Sequence, residues 1–108
     1  MDAFELLEQE SLPKLTDYLE GGGDPNLADS DGGTLLHYAV LLAQPETISE
    51  LVRFGANINY EIPEDQPAHD ILAPTCLSLA QQCRHLMDRE KFSPIVDLLV
   101  LLGAVDET

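Results

Sequence analysis

Gly22 and Gly55 stand 33 residues apart, and each closes an apolar stretch and opens a turn. Gly22-Gly23 is followed by Asp24-Pro25-Asn26, and Gly55-Ala56 by Asn57-Ile58-Asn59. A recurrence at this period constrains the fold strongly, because a short unit cannot bury its apolar face alone and must stack on a neighbour. The clearest unit contains Gly32 to Val40, read as G-G-T-L-L-H-Y-A-V. Asp31-Gly32-Gly33 has turn chemistry, and Thr34 is placed to cap a helix whose apolar residues are Leu35, Leu36, Ala39 and Val40. A second apolar stretch, Leu51 to Phe54, is stopped by Gly55.

Together, residues 31–59 resemble one ankyrin repeat, D-x-x-G-x-T-P-L-H-x-A-A, then a second helix, then L-L-x-x-G-A-D-x-N. The match is specific at Gly32, Thr34, Leu36, His37, Ala39, Gly55, Ala56 and Asn59. It departs at Leu35, where the family has proline, and at Ala43-Gln44, where it has Gly-His. The resemblance implies an all-α stack of about three helix-turn-helix units in one domain over residues 1–108. The units are expected at about 1–28, 29–59 and 60–108, with the third enlarged and turns at 21–30 and 55–73. In the first unit Phe4 takes the histidine position, while Leu15, Tyr18 and Leu19 line the second helix. Gly32, Thr34, His37, Gly55 and Gly103 are expected to be structural, with His37 tying helix to turn.

The enlargement can be located by counting. Thr34 to Gly55 is 21 residues and Thr75 to Gly103 is 28, so about seven residues lengthen the last helical pair. The rest of the addition lies between Asn59 and Thr75, where two prolines and four acids over 60–70 read as a long loop. Thr75 to Ala80 repeats the threonine-led frame with Ser78 in the histidine position, and its helix is expected to continue through Arg84 and Leu86. Pro13, Pro45 and Pro94 fall near the starts of second helices, and Ser93-Pro94 is expected to restart the last one. Leu98, Leu99, Leu101 and Leu102 cannot all face one neighbour, so some are expected to meet the extension at Leu86, Met87 and Phe92.

Composition narrows the function. Twenty acids against five bases give a net charge of −15, which disfavours nucleic acid and anionic membrane and favours a partner with a basic surface. Solubility alone is the competing explanation of that acidity. Met1 to Glu5 is acidic where a signal peptide is basic, and no apolar run is long enough to span a bilayer, so a cytoplasmic protein is expected. Cys76 and Cys83 lie two helical turns, roughly 10 Å, apart, too far for a disulfide within one helix. They read as free thiols, buried or facing the groove, and neither cofactor nor metal is expected. His37, His69 and His85 have no nucleophile and orienting group beside them, and Gly21-Gly22-Gly23 lacks the lysine of a phosphate loop. A non-enzyme is expected.

The family binds proteins through turn tips and the first helix of each pair. Carried over, its variable positions fall at Ser30, Asp31, Gly33, Leu41, Leu42 and Phe54, at Glu8 and Gln9 in the first unit, and at Gln82 and Cys83 in the third. The partner-binding set expected here is Asp31, Tyr38, Leu41, Leu42, Phe54, Glu61, Glu64 and Asp65: apolar anchors with a charged rim, to which Glu8, Asp29 and Asp70 add acids. Loop 60–73 either joins that face or folds over it. Arg84, Arg89 and Lys91 form the one basic cluster, expected to be solvated and self-paired. The chain is expected to be a monomer when free and to bind, and inhibit, a basic protein. Among small acidic proteins of this kind the resemblance allows an immunity protein or antitoxin that covers a toxin such as a nuclease. A regulatory or scaffold protein is the alternative.

Overall fold

Three antiparallel helical pairs stand side by side in the computed structural model, which describes residues 3–104. They are α1 (Ala3–Glu8) with α2 (Leu12–Glu20), α3 (Leu35–Leu41) with α4 (Pro45–Arg53), and α6 (Cys76–Leu86) with α7 (Arg89–Leu101). A one-turn helix, α5 (Pro67–Ile71), lies between the second and third pairs. In each pair the two helices pack on each other, α3 packs between α1 and α6, and α2 packs on α4. The described residues contain no strand, only an isolated antiparallel bridge between Ala28 and Thr34. The expected all-α stack is therefore the observed one.

The period shows in the backbone as well as in the residues. Gly22 and Gly55 have φ of 96° and 101°, and Glu10 and Ala43, also one period apart, both have φ of 54°. Ala43 occupies the place where the repeat pattern has glycine, and it adopts the left-handed conformation that glycine takes freely. Gln44, which replaces the patterned histidine, links units instead: its Nε2 donates to the Leu7 carbonyl at 2.7 Å, and its Oε1 accepts from the Thr47 hydroxyl at 2.9 Å.

The core runs through all three pairs, with Leu7, Leu15, Leu35, Ile48, Leu51, Phe92, Ile95 and Leu99 fully buried. Two features of the third unit differ from expectation. The 60–70 segment is not all loop, since Pro67 opens α5; proline fits a first helical position, where no amide bond is lost. Nor does Ser93-Pro94 restart the last helix. The Asp88 carboxylate accepts from the Lys91 N–H at 3.1 Å, and α7 continues through Pro94. The bond that proline forfeits belongs to the Glu90 carbonyl; both residues are exposed, and water can serve it.

The seven-residue lengthening is shared between two helices. α3 and α4 have 7 and 9 residues, whereas α6 and α7 have 11 and 13, one extra turn each. The extension buries Phe92, but Leu101 remains 82% exposed and Val100 55%. The expected cover from Leu86 and Met87 is absent for a geometric reason: those residues sit at the opposite end of a 13-residue helix, roughly 18 Å away. Phe92→Ala should therefore cost about 3–5 kcal/mol in chemical denaturation. Leu101→Ala should cost under about 0.5 kcal/mol, and equal losses at both positions would contradict this division of the last helix.

Candidate protein-binding face

The turn before α3 is built around the Asp29 carboxylate. Its Oδ1 accepts from the Asp31 and Gly33 amides, both at 3.0 Å, and its Oδ2 accepts from the Tyr38 hydroxyl at 2.5 Å. Backbone bonds from Asp29 N–H to the Gly33 carbonyl and from Gly32 N–H to the Asp29 carbonyl close the loop. Asp29 therefore belongs to the turn and not to a charged rim. Tyr38, expected to meet a partner, is half-buried and turned back on this carboxylate, with its ring edge-on to Phe4 at 5.4 Å. Burial first, and then the Asp29 bond, push its hydroxyl up to about 12.

His37 fastens this turn to the next unit. Thr34 Oγ1 accepts from the His37 backbone N–H at 3.2 Å and lies 2.7 Å from Nδ1, while Nε2 lies 3.2 Å from the Pro74 carbonyl. A carbonyl only accepts, so Nε2 carries the proton and Nδ1 accepts from the Thr34 hydroxyl. The ring is fully buried, and that burial lowers its pKa to about 4 against the opposing pull of the Pro74 carbonyl. Pro74 directly precedes Thr75, the cap of α6, so this bond sets α3 and α6 level at their starts. Asparagines staple the other side of the turns. Asn26 Oδ1 accepts from Asn57 N–H at 2.7 Å and its Nδ2 donates to the Gly55 carbonyl at 3.4 Å. One period later, Asn59 Nδ2 donates to the Gly103 carbonyl at 3.2 Å.

The inserted segment docks on the turn. Ala68 N–H donates to the Asp31 carbonyl at 2.9 Å, Ile62 N–H donates to the Pro74 carbonyl at 2.8 Å, and Ile62, Ala68, Leu72 and Ala73 are buried. Gly32, with φ of 90°, lies so close that an added Cβ would stand 2.8 Å from the Cβ of Gln66. Gly33 is covered too, since its Cβ would meet Tyr38 at 2.9 Å and Leu72 at 3.0 Å, so it is no contact position. The insertion thus sits at the turn end of the stack and carries the exposed Glu61, Glu64 and Asp65 there beside the exposed Asp31.

The expected apolar anchors do not converge. Leu42, 38% exposed, and Leu41, half-buried against the core, lie at the end of α3 where the chain turns into α4. Phe54 caps α4, which runs back antiparallel, so it lies at the other end, half-buried with the Arg53 guanidinium 4.8 Å above its ring. Cys83 is buried and does not face a groove; burial raises its thiol, and raises that of Cys76 to about 12, and both cysteines are free. His69 is half-buried, 3.4 Å from an Asp70 oxygen. Sequence reasoning missed the roles of Asp29 and Gln44. The D-x-x-G spacing hinted at the first; nothing in the local pattern signalled the second.

The ankyrin repeat family model matches residues 31–61. This match covers the turn, α3, α4 and the second turn described above, and residues 31–61 form an ankyrin repeat. Such repeats are protein–protein interaction modules. No match was found among curated proteins. No helix among the described residues is long and apolar enough to cross a membrane.

The buried imidazole makes a pH prediction. Between an unfolded value near 6.5 and a folded value of about 4, the unfolded chain binds the proton and the folded chain does not. Stability from this group is complete above pH 6.5 and is lost as pH falls toward 4, by up to roughly 3 kcal/mol. The gap in unfolding free energy between wild type and His37→Gln should narrow by that order across the window. A gap independent of pH would show that the ring is not held neutral.

Proposed function

We propose that this chain is a stoichiometric, non-catalytic binding protein that covers and inhibits a partner with a basic surface, in the manner of an immunity protein neutralising a toxin such as a nuclease. The carrying observation is the turn edge. Glu61, Glu64 and Asp65 are exposed on the insertion, Asp31 is exposed on the turn it docks against, and the Ala68–Asp31 backbone bond joins the two segments. No nearby cation neutralises these acids in sequence: between Lys14 and Arg84 the sole lysine or arginine is Arg53, whose guanidinium is paired with Glu50 at 2.6 Å.

Carboxylates gathered on one edge imitate the phosphates that a nuclease cleft is built to receive, and long-range attraction steers a basic partner onto them. Turn tips are also where such repeats meet partners, which supports a role for these acids in contact. This reading sets the protein in a reducing cytosol, in keeping with free Cys76 and Cys83.

The test is kinetic. With a partner captured by the wild-type chain, the triple variant Asp31→Lys, Glu64→Lys, Asp65→Lys should associate about tenfold or more slowly and should lose most of its salt dependence, because rim charges act over a screening length of about 8 Å. Its thermal unfolding should be nearly unchanged, since all three side chains are exposed. Association of the wild type indifferent to ionic strength would sink the electrostatic reading and leave solubility as the purpose of the acids.

A further inference from the structure

Three of the five basic residues, Arg84, Arg89 and Lys91, fall within eight positions of one another, in a chain that carries 20 acids. The structure puts them in one place for a definite reason. α3 and α6 start level, because His37 bonds to Pro74, but α6 is four residues longer and so projects roughly 6 Å past the end of α3. The last residues of α6, from Arg84, and the junction that follows lie beyond the end of α3. Leu86 and Met87 are accordingly 74% and 67% exposed at the α6–α7 junction.

At this tip lies a depression of about 290 Å³ lined by Gln81, Arg84, His85, Met87 and Arg89. No carboxylate lines it. By contrast, the depressions beside Pro45 are lined by Glu46 and Glu50, and by Glu10 and Glu46. The expected self-pairing of the basic cluster is not found: among the described residues neither Arg84, Arg89 nor Lys91 has an ion-pair partner. Asp88, the nearest acid in sequence, uses its carboxylate to cap α7. Glu90 lies beside Arg89 in sequence but is not among the lining residues.

We propose that the α6–α7 tip is a second docking site, for a partner's acidic peptide segment in which a carboxylate is flanked by an apolar side chain. The two guanidiniums that line one depression present forked donors that match a carboxylate, and the His85 imidazole lies beside them. Leu86 and Met87 offer the apolar contact that distinguishes a peptide from a bare anion, and methionine adapts readily to a partner's shape. The chemistry is the converse of the turn edge, which lies at the other end of the α6 axis. One chain therefore presents an acidic edge to one partner and a local basic, apolar tip to another. A second copy is the disfavoured occupant, because two chains of −15 repel unless they meet in this one orientation.

The probe is a hexapeptide of alternating glutamate and leucine, titrated into the ¹⁵N-labelled full chain and followed by amide and arginine Nε shifts. Shifts should be confined to Gln81–Lys91 and should saturate. Arg84→Ala with Arg89→Ala should weaken binding at least about tenfold, as should Leu86→Ser with Met87→Ser, while amide shifts elsewhere report an intact fold. Absence of shifts at millimolar peptide overturns the proposal. So do equal shifts from a control hexapeptide with glutamine in place of each glutamate, or equal shifts from inorganic phosphate, which would mark a simple anion site. Broadening of Leu86 and Met87 with protein concentration alone would assign the tip to a second copy instead. None of these outcomes touches the turn edge, so this site and the acidic one are judged separately.

Discussion

A neutral imidazole sealed between two units holds the architecture in register. His37 takes the Thr34 hydroxyl on one nitrogen and gives its other proton to the Pro74 carbonyl, so a single ring completes the cap of α3 and fixes the approach of α6. In a fully buried position each of these groups would be costly to leave unpaired, and the bonds are correspondingly specific. No buried side-chain polar atom among the described residues lacks a partner. From this point outward the rest follows: the threonine caps are level, the turns share one edge, and differences in helix length are expressed entirely at the far edge.

The third unit shapes both edges of the stack. An insertion of two parts has two consequences in two places. The part before Thr75 folds into Ile62, Ala68 and Leu72 contacts on the neighbouring turn and adds carboxylates to that edge. The part within the helices lengthens α6 and α7 together, burying Phe92 while lifting Arg84 to Lys91 clear of the stack. The basic residues of the third unit are thus gathered at one tip, while the inserted acids lie at the opposite edge.

A stack of this kind suits protein binding because its turns are held by side-chain and backbone bonds. The Asp29 carboxylate, the Asn26 and Asn59 staples and the Ala68–Asp31 bond all hold turn backbone in one conformation. Little ordering remains to be done on association, which favours tight binding at a modest interface.

Much of the fold was legible in the residues alone, because repeats write their own register. Gly22 and Gly55, Thr34 and Thr75, and the apolar residues at helical spacing located the helical pairs, and the threonine-to-glycine counts located the lengthening of the last pair. Local chemistry identified the Thr34 cap, but not the Asp88 cap of α7, and predicted that His37 is structural. The candidate face was less legible. Leu41, Leu42 and Phe54 looked like one apolar cluster, but an antiparallel pair puts them at opposite ends. Tyr38 looked available until the Asp29 carboxylate claimed its hydroxyl. Only the tertiary structure decided that segment 60–73 folds onto Gly32 and Gly33, that Pro67 starts a helix there, and that the basic tip stands free. Those outcomes depend on contacts between residues some 35 apart, as between Asp31 and Ala68, and the pattern within either segment carries no record of the other.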